Sequence, residues 1–300
     1  MAQQDQNHRA TARPAPGLYI VATPIGNARD MTLRALDVLG GADIIACEDT
    51  RITARLLAIH GIATSCMAYH DHNAARVRPG LINRLEQGQI VALVSDAGTP
   101  LISDPGYKLV REVTVRGIAV WPVPGASSVL AALMAAGLPT DRFLFSGFLP
   151  AKSAARRTAL EEIKRTDATT VIFESARRLP ATLAEMSEIL GDREAVVARE
   201  LTKLYEEHRR GGLGELVAHY GGAGAPKGEV VIVVGPGAKS EPGTDELDDM
   251  LIKALKSLSV RSAATVIADI TGRPRREIYA RAVMLSEDKP TVGGDKGCDH

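Results

Sequence analysis

Short, mostly apolar runs alternate with amphipathic stretches over most of the chain. Residues 18–22, 42–46, 90–94 and 118–123 are rich in β-branched and small apolar side chains. Runs of this kind predict strands of a parallel sheet, buried on both faces. Between them, residues 32–39, 51–60, 74–87 and 107–116 predict helices, with a further short strand just before Tyr69. The second half continues the pattern. A small-residue helix is expected from Ser128 towards Gly137, strands at 143–146, 170–173, 195–198 and 230–234, and helices at 153–164 and 178–190. Alternating strands and helices define an α/β fold. Pro122, Val123, Pro124 and Gly125 stiffen a crossing between two expected α/β domains, 17–124 and 125–237. A turn-rich, charged stretch, 238–245, predicts a linker. Helices at 247–258, 260–270 and 277–285 follow, the last two joined by Thr271 to Pro274. This makes 246–286 a small helical appendage resembling a helix-turn-helix. Residues 1–16 and 287–300 predict a disordered arm and tail.

The stretch 90–106, IVALVSDAGTPLISDPG, concentrates the candidate chemistry. A buried strand breaks into loops carrying Asp96, Gly98, Asp104 and Gly106. Open α/β sheets bind ligands just past the carboxyl ends of their strands. Glycines there admit a ligand close to the backbone. The alternative is a pair of tight turns whose aspartates only cap backbone amides. Glu48, Asp49 and Arg51 stand at the end of the second strand. They form either a polar cluster at the active edge or a cap of the next helix, with Glu48 paired to Arg51. Tyr69, His70, Asp71, His72 and Asn73 follow the third strand, and the His spacing fits no metal motif, so no metal is expected. Ser127 and Ser128 open a helix whose free N–H groups suit polar ligand atoms, or close helix packing. Arg199 to Lys203 repeat the charged strand end, and Lys152 follows Gly147 to Pro150.

Composition narrows the class. A 45% hydrophobic and 24% charged chain of zero net charge is an ordinary globular protein with no global attraction to nucleic acid or membrane. Three cysteines without metal spacing suit a reducing cytoplasm. No run approaches the roughly 20 apolar residues of a membrane span. The positive charge is local: residues 250–285 hold seven Lys or Arg against two acids, a net of +5, fit to meet phosphates. A packing or dimer appendage with a charged face is the alternative. No G-x-G-x-x-G follows the first strand, which disfavours a nicotinamide site.

VATPIGNARDMTLRAL, ACEDTR, YHDHN, LVSDAGTPLISDPG, VPGASS, GFLPAK, FESARRL and ARELTK follow one another in this order. Together they resemble the tetrapyrrole methylase superfamily and, within it, its ribosomal RNA branch, over about Leu18 to Leu285. The resemblance implies two α/β domains of the tetrapyrrole methylase type with S-adenosylmethionine (AdoMet) in the interdomain cleft. It also implies a homodimer and 2′-O-methylation of a cytidine ribose in the decoding region of 16S rRNA, as free RNA or in the small ribosomal subunit. By position, Pro24 and Gly26 would form the first cofactor loop, and Asp96, Ala97 and Gly98 would meet the amino-acid or ribose part of AdoMet. Leu101 and Ile102 would line its pocket, with Ser127 and Ser128 nearby and Glu174 and Gly228 from the second domain. Glu48, Asp49 and His72 are candidate proton acceptors, and Arg51 and Lys203 candidates for holding phosphate or developing charge. Lys152, Arg273, Arg275, Arg276 and Arg281 are candidate RNA contacts. A methylase of a corrinoid or porphyrin precursor would need no basic appendage. A non-enzymatic RNA-binding protein would leave the charged strand ends without a purpose.

Overall fold

The computed structural model describes residues 13–237 and 244–287. It divides into two compact units, the first ending at Gly237. The first unit begins with a sheet of β1 (Gly17–Val21), β2 (Ile44–Cys47), β3 (Cys66–Ala68), β4 (Ile90–Leu93) and β5 (Val120–Val123). All pairings are parallel, in the order β3-β2-β4-β1-β5. The crossovers carry α1 (Leu33–Gly41), α2 (Thr50–Ile59), α3 (Ala74–Glu86) and α4 (Tyr107–Val115). The chain first moves towards one edge and then back, so right-handed crossovers place α1 and α2 on one face and α3 and α4 on the other. The cores show this alternation. Tyr19, Ile45 and Ala92 pack with Val38 and Leu57, whereas Leu18, Ile44 and Val91 pack with Leu81 and Leu109. Both faces are covered, which is why these strands read as unbroken apolar runs.

The second sheet contains β6 (Phe143–Phe148), β7 (Thr169–Ser175), β8 (Glu194–Arg199), β9 (Glu207–Gly212) and β10 (Glu229–Val234), in the order β6-β7-β10-β8-β9. Only β6 and β7 run parallel. One face carries α5 (Ser128–Ala136), and the other carries α6 (Ser153–Lys164), α7 (Leu179–Leu190) and α8 (Leu213–Ala223). Ile25, from the loop after β1, is buried in the α5 layer, so the two sheets are tied together there. Neither β9 nor α8 is foreshadowed by the apolar pattern. β9 reads EHRRGG, a charged edge strand whose conformation comes from pairing with β8.

Two expected boundaries are corrected. Arg13 to Pro16, assigned to a disordered arm, dock on the fold: Arg13 pairs with Asp43, and the Tyr19 hydroxyl donates to Ala15 O at 2.9 Å. Residues 1–12, 238–243 and 288–300 of the expected arm, linker and tail lie outside the described residues. The second unit comprises α9 (Thr244–Ala254), α10 (Val260–Thr271) and α11 (Arg275–Glu287) around Leu247, Leu251, Ile267 and Ile278. α9 begins and ends three to four residues earlier than the expected 247–258, and residues 255–258 form turns instead. Its first turns carry Asp245, Glu246, Asp248 and Asp249, so 244–287 holds seven basic and seven acidic residues. The expected +5 of 250–285 is therefore balanced by the acids of α9 and Glu287, and the unit as a whole is neutral.

Gly106 begins α4 with φ 132°, and a β-carbon there would lie 2.6 Å from Leu101 Cδ2 and 2.7 Å from Leu93 Cδ2. Gly106→Ala is expected to lower stability by about 1–3 kcal/mol, visible as a drop in Tm of several degrees in thermal unfolding.

Candidate active site

The site lies at the carboxyl ends of the first sheet's strands. Thr23, after β1, and Gly98, after β4, exchange backbone hydrogen bonds of 2.9 and 3.0 Å. The buried Thr23 hydroxyl donates to Ser95 O at 3.2 Å, and the Thr99 hydroxyl donates to Ala126 O at 3.1 Å. The β4 loop is thus held against both the β1 loop and the start of α5. Beyond it, Leu101 and Ser103 take the left-handed conformation, φ 75° and 67°. Such strain at non-glycine residues costs about 1–3 kcal/mol and concentrates at functional sites.

A cleft of ≈450 Å³ opens beside this loop, within the range of small-molecule sites. Ala97 to Thr99 and Ile102 to Asp104 form one wall, and Ser127 to Val129 at the start of α5 form another. Phe148, residues 173–176 and residues 228–231 close it from the second sheet. Phe148 reaches the cleft because β6 bulges between Phe145 and Phe148, and its ring meets Phe173 edge-on with centroids 5.5 Å apart. Ser127 caps α5, its hydroxyl accepting from Leu130 N at 3.4 Å.

Of the residues named from sequence for a cofactor, Ala97, Gly98, Ile102, Ser127, Ser128, Glu174 and Gly228 line this cleft. Pro24, Gly26 and Asp96 instead line an adjoining depression of ≈260 Å³ with Ala97 and Lys203. Leu101 does neither: it packs on the first-domain core, against Gly106. Two of the glycines have local reasons. A β-carbon at Gly26 would strike Lys203 Cγ at 2.5 Å and Thr202 Oγ1 at 2.7 Å. One at Gly228, φ 92°, would strike the Glu200 carboxylate. Glu174 is wholly buried and internally engaged. Its carboxylate accepts from Ser175 N and the Thr182 hydroxyl, both at 2.7 Å, and faces Arg178 Nε at 3.2 Å.

The proposed catalytic set is split. Glu48, Asp49 and His72 meet Asp96 in a third depression of ≈460 Å³. Arg51 is 88% exposed on its side chain and lies outside it. The cap reading of Asp49 holds, but the Glu48–Arg51 pair does not form. Asp49 accepts from Arg51 N at 2.8 Å and from its guanidinium at 2.5 Å. The Arg51 hydrogen bonds hold Asp49 down at about 2, so it stays ionised and is a weak base. Glu48 goes the other way, raised by burial and by the nearby carboxylates of Asp96 and Asp71. Asp96 Oδ1 accepts from Asp49 N at 2.9 Å. Lys203 sits in the second depression, its ammonium 2.9 Å from both Glu200 and Glu229. Asp104, named from sequence only as part of the loop and given no role, lines the cleft. Burial lifts it to about 6 against the Ser95 hydroxyl, with Glu48 and Asp96 adding to the rise.

The candidate RNA residues are also dispersed. Lys152 is exposed at the N-cap position of α6. Arg281 is bound to Asp248, joining α11 to α9. Arg273 pairs with Glu277 at 3.1 Å, while Arg275 and Arg276 are exposed at the start of α11. Among the described residues, no group of three His, Cys, Asp or Glu could hold a metal ion, and no helix is long and apolar enough to cross a membrane.

Residues 17–217 match the family Tetrapyrrole (Corrin/Porphyrin) Methylases, and residues 241–286 match the RsmI C-terminal HTH domain. The first sheet and the mixed second sheet have the fold of such methylases. Diphthine synthase superposes with a TM-score of 0.56 at 19% identity, over 73% of this chain and 89% of its own. Uroporphyrin-III C-methyl transferase from Thermus thermophilus, complexed with S-adenyl homocysteine, does so at 0.51 and 21%, over 73% and 97%. Among curated relatives, "Ribosomal RNA small subunit methyltransferase I" of Mesorhizobium japonicum is 50% identical, covering 95% of this chain and 97% of its own. The protein of the same name from Halalkalibacterium halodurans is 47% identical, over 87% and 93%. The chain belongs to the ribosomal RNA small subunit methyltransferase I family of the tetrapyrrole methylases, and is a methyltransferase.

The two buried or capping carboxylates should behave differently. Glu174→Ala strands the buried Thr182 hydroxyl and the Arg178 charge. It is expected to cost about 3 kcal/mol in urea unfolding, at the low end for a broken buried pair because Arg178 is partly solvated. Asp49→Asn keeps a good helix cap and loses only a solvent-exposed ion pair with Arg51, so its urea midpoint is expected to fall far less than that of Glu174→Ala.

Proposed function

We propose that the chain transfers a methyl group from AdoMet to the ribose 2′-hydroxyl of a cytidine in the decoding region of 16S rRNA, acting as a cytoplasmic homodimer. The observation carrying this reading is the cleft itself. It combines a glycine-opened loop at strand ends, a capped helix N-terminus and aromatic walls, between two sheets. The residues present fit AdoMet. Phe148, Phe173 and Val231 offer apolar surface, and Ser127, Ser128 and the start of α5 offer donors for polar or anionic atoms. AdoMet supplies an activated methyl on a cationic sulfur, so the chain need not activate it further.

The task left to the protein is alignment and proton removal. Gly98, held by Thr23, fixes the wall beside which the donor would lie. Asp96 is oriented by the Asp49 N–H, which leaves carboxylate acceptor capacity for a ligand hydroxyl or ammonium. Of the acids first named as bases, Glu48 suits proton uptake better than Asp49, which Arg51 keeps ionised. Arg51 acts through the α2 cap rather than on substrate, and Lys203 is neutralised by Glu200 and Glu229. RNA phosphates would meet the turn between α10 and α11, where Arg275 and Arg276 are exposed. A corrinoid substrate would leave that turn without a use.

The reading is tested with small ribosomal subunits from a strain lacking this activity, incubated with AdoMet and the protein. Mass mapping is expected to show one new ribose methyl, on a decoding-region cytidine, and methylation on a base or at no site would refute it. Truncation after Gly237 is expected to keep AdoMet affinity but weaken RNA binding. Arg275→Ala with Arg276→Ala should flatten the slope of log affinity against log salt by about 0.7–0.9 for each RNA phosphate that is no longer neutralised.

A further inference from the structure

Three carboxylates line the cleft, on Asp104, Glu174 and Glu229. Glu174 is committed to Ser175, Thr182 and Arg178, and Glu229 to Lys203. Asp104 has no such cation among the described residues. Its carboxylate lies near the Ser95 hydroxyl, which itself donates to Ala97 O and Gly98 O, and within electrostatic reach of Glu48 from the end of β2 and Asp96 from the β4 loop. A half-buried anion among like charges is costly to keep for folding alone. It is nonetheless held in the cleft by a loop whose flanking Ser103 is left-handed and whose Gly106 admits no β-carbon.

Resting on the methyl-transfer reading of this cleft, we propose that Asp104 accepts the proton of the ribose hydroxyl as that oxygen is methylated. The hydroxyl oxygen bonds to the methyl carbon, and the carbon–sulfur bond breaks with its electron pair on sulfur. The O–H proton passes to an Asp104 carboxylate oxygen. The products are a methyl ether, a neutral thioether and a carboxylic acid, which returns its proton to water. Elimination supports this assignment. Asp49, Glu48 and His72 open into the neighbouring depression rather than the cleft. Asp104 titrates at about 6, so it is largely ionised at neutral pH yet still basic enough to take a proton.

The test compares wild type, Asp104→Asn and Asp104→Glu in single-turnover methylation of small subunits at saturating AdoMet, between about pH 5 and 8. AdoMet affinity is measured by calorimetry in parallel, and aspartate carboxyl titration is followed by carbon-13 NMR in the ligand-free protein. The wild-type rate is expected to fall about tenfold per pH unit below pH 6. Asp104→Asn should lower the rate by roughly a hundredfold or more and remove that acid limb, with AdoMet affinity within about threefold of wild type. Asp104→Glu should restore part of the rate and a shifted limb. One carboxyl titrating near 6 should vanish from the Asn variant's spectrum. A wild-type rate and limb in Asp104→Asn would overturn the proposal. So would loss of AdoMet binding in step with activity, which would make Asp104 a ligand anchor. If the Asn variant does not fold, absence of a wild-type carboxyl titrating near 6, or an unchanged limb in Asp104→Glu, overturns it equally. A wild type that methylates no ribose refutes the functional reading instead, a result separable from any difference among the variants.

Discussion

The strand-end site depends on one reciprocal pair of backbone hydrogen bonds, between Thr23 and Gly98. It joins the loops leaving two adjacent strands, β1 and β4. Each bond contributes only about 0.5–1.5 kcal/mol net, but leaving either buried group unpaired would cost more. The pair therefore acts mainly as a geometric constraint. Gly98 accepts the left-handed φ of 78° that the pairing needs. Two residues after Thr23, Ile25 enters the core beneath the second sheet. One residue after Gly98, Thr99 reaches the start of α5. One short segment thus fixes a cleft wall and joins the two α/β halves.

The first sheet was largely legible in the sequence for a simple reason. Parallel strands covered on both faces must be apolar throughout, and 18–22 and 90–94 show it directly. The second sheet was less legible because its order comes from long-range pairing. β9 has no apolar side chain in EHRRGG, and α8 contains three glycines, so both depend on what they pack against. Burial of Leu213, Leu216 and Tyr220 holds α8 where propensity does not. In the second unit, the basic residues from Lys253 onward are balanced by acids that precede Met250 in the first turns of α9, one of which, Asp248, engages Arg281.

The candidate site shows the same division. Motif and strand-end position suffice to mark Gly98, Ile102, Ser127 and Ser128. They do not show that Leu101 turns into the core, or that Asp49 and Arg51 satisfy each other two residues apart. Nor could they give Asp104 its role, because what raises it is burial in the folded cleft, with a smaller push from Glu48, far away in sequence on another strand end. Glu48, Asp71, Asp96 and Asp104 share this edge, and the Lys203 charge is matched by two carboxylates. Such an edge favours a cationic group over a bare phosphate.

Everything proposed for the chemistry requires that this cleft, and not the neighbouring depressions, hold the methyl donor. Ultraviolet cross-linking of methyl-labelled AdoMet, followed by peptide mapping, decides between them. Label is expected on peptides containing residues 97–104, 127–129, 173–176 or 228–231, suppressed by excess unlabelled AdoMet. Competable label confined to peptides around Glu48 and His72, or to the C-terminal helices, would place the donor elsewhere and overturn the assignment.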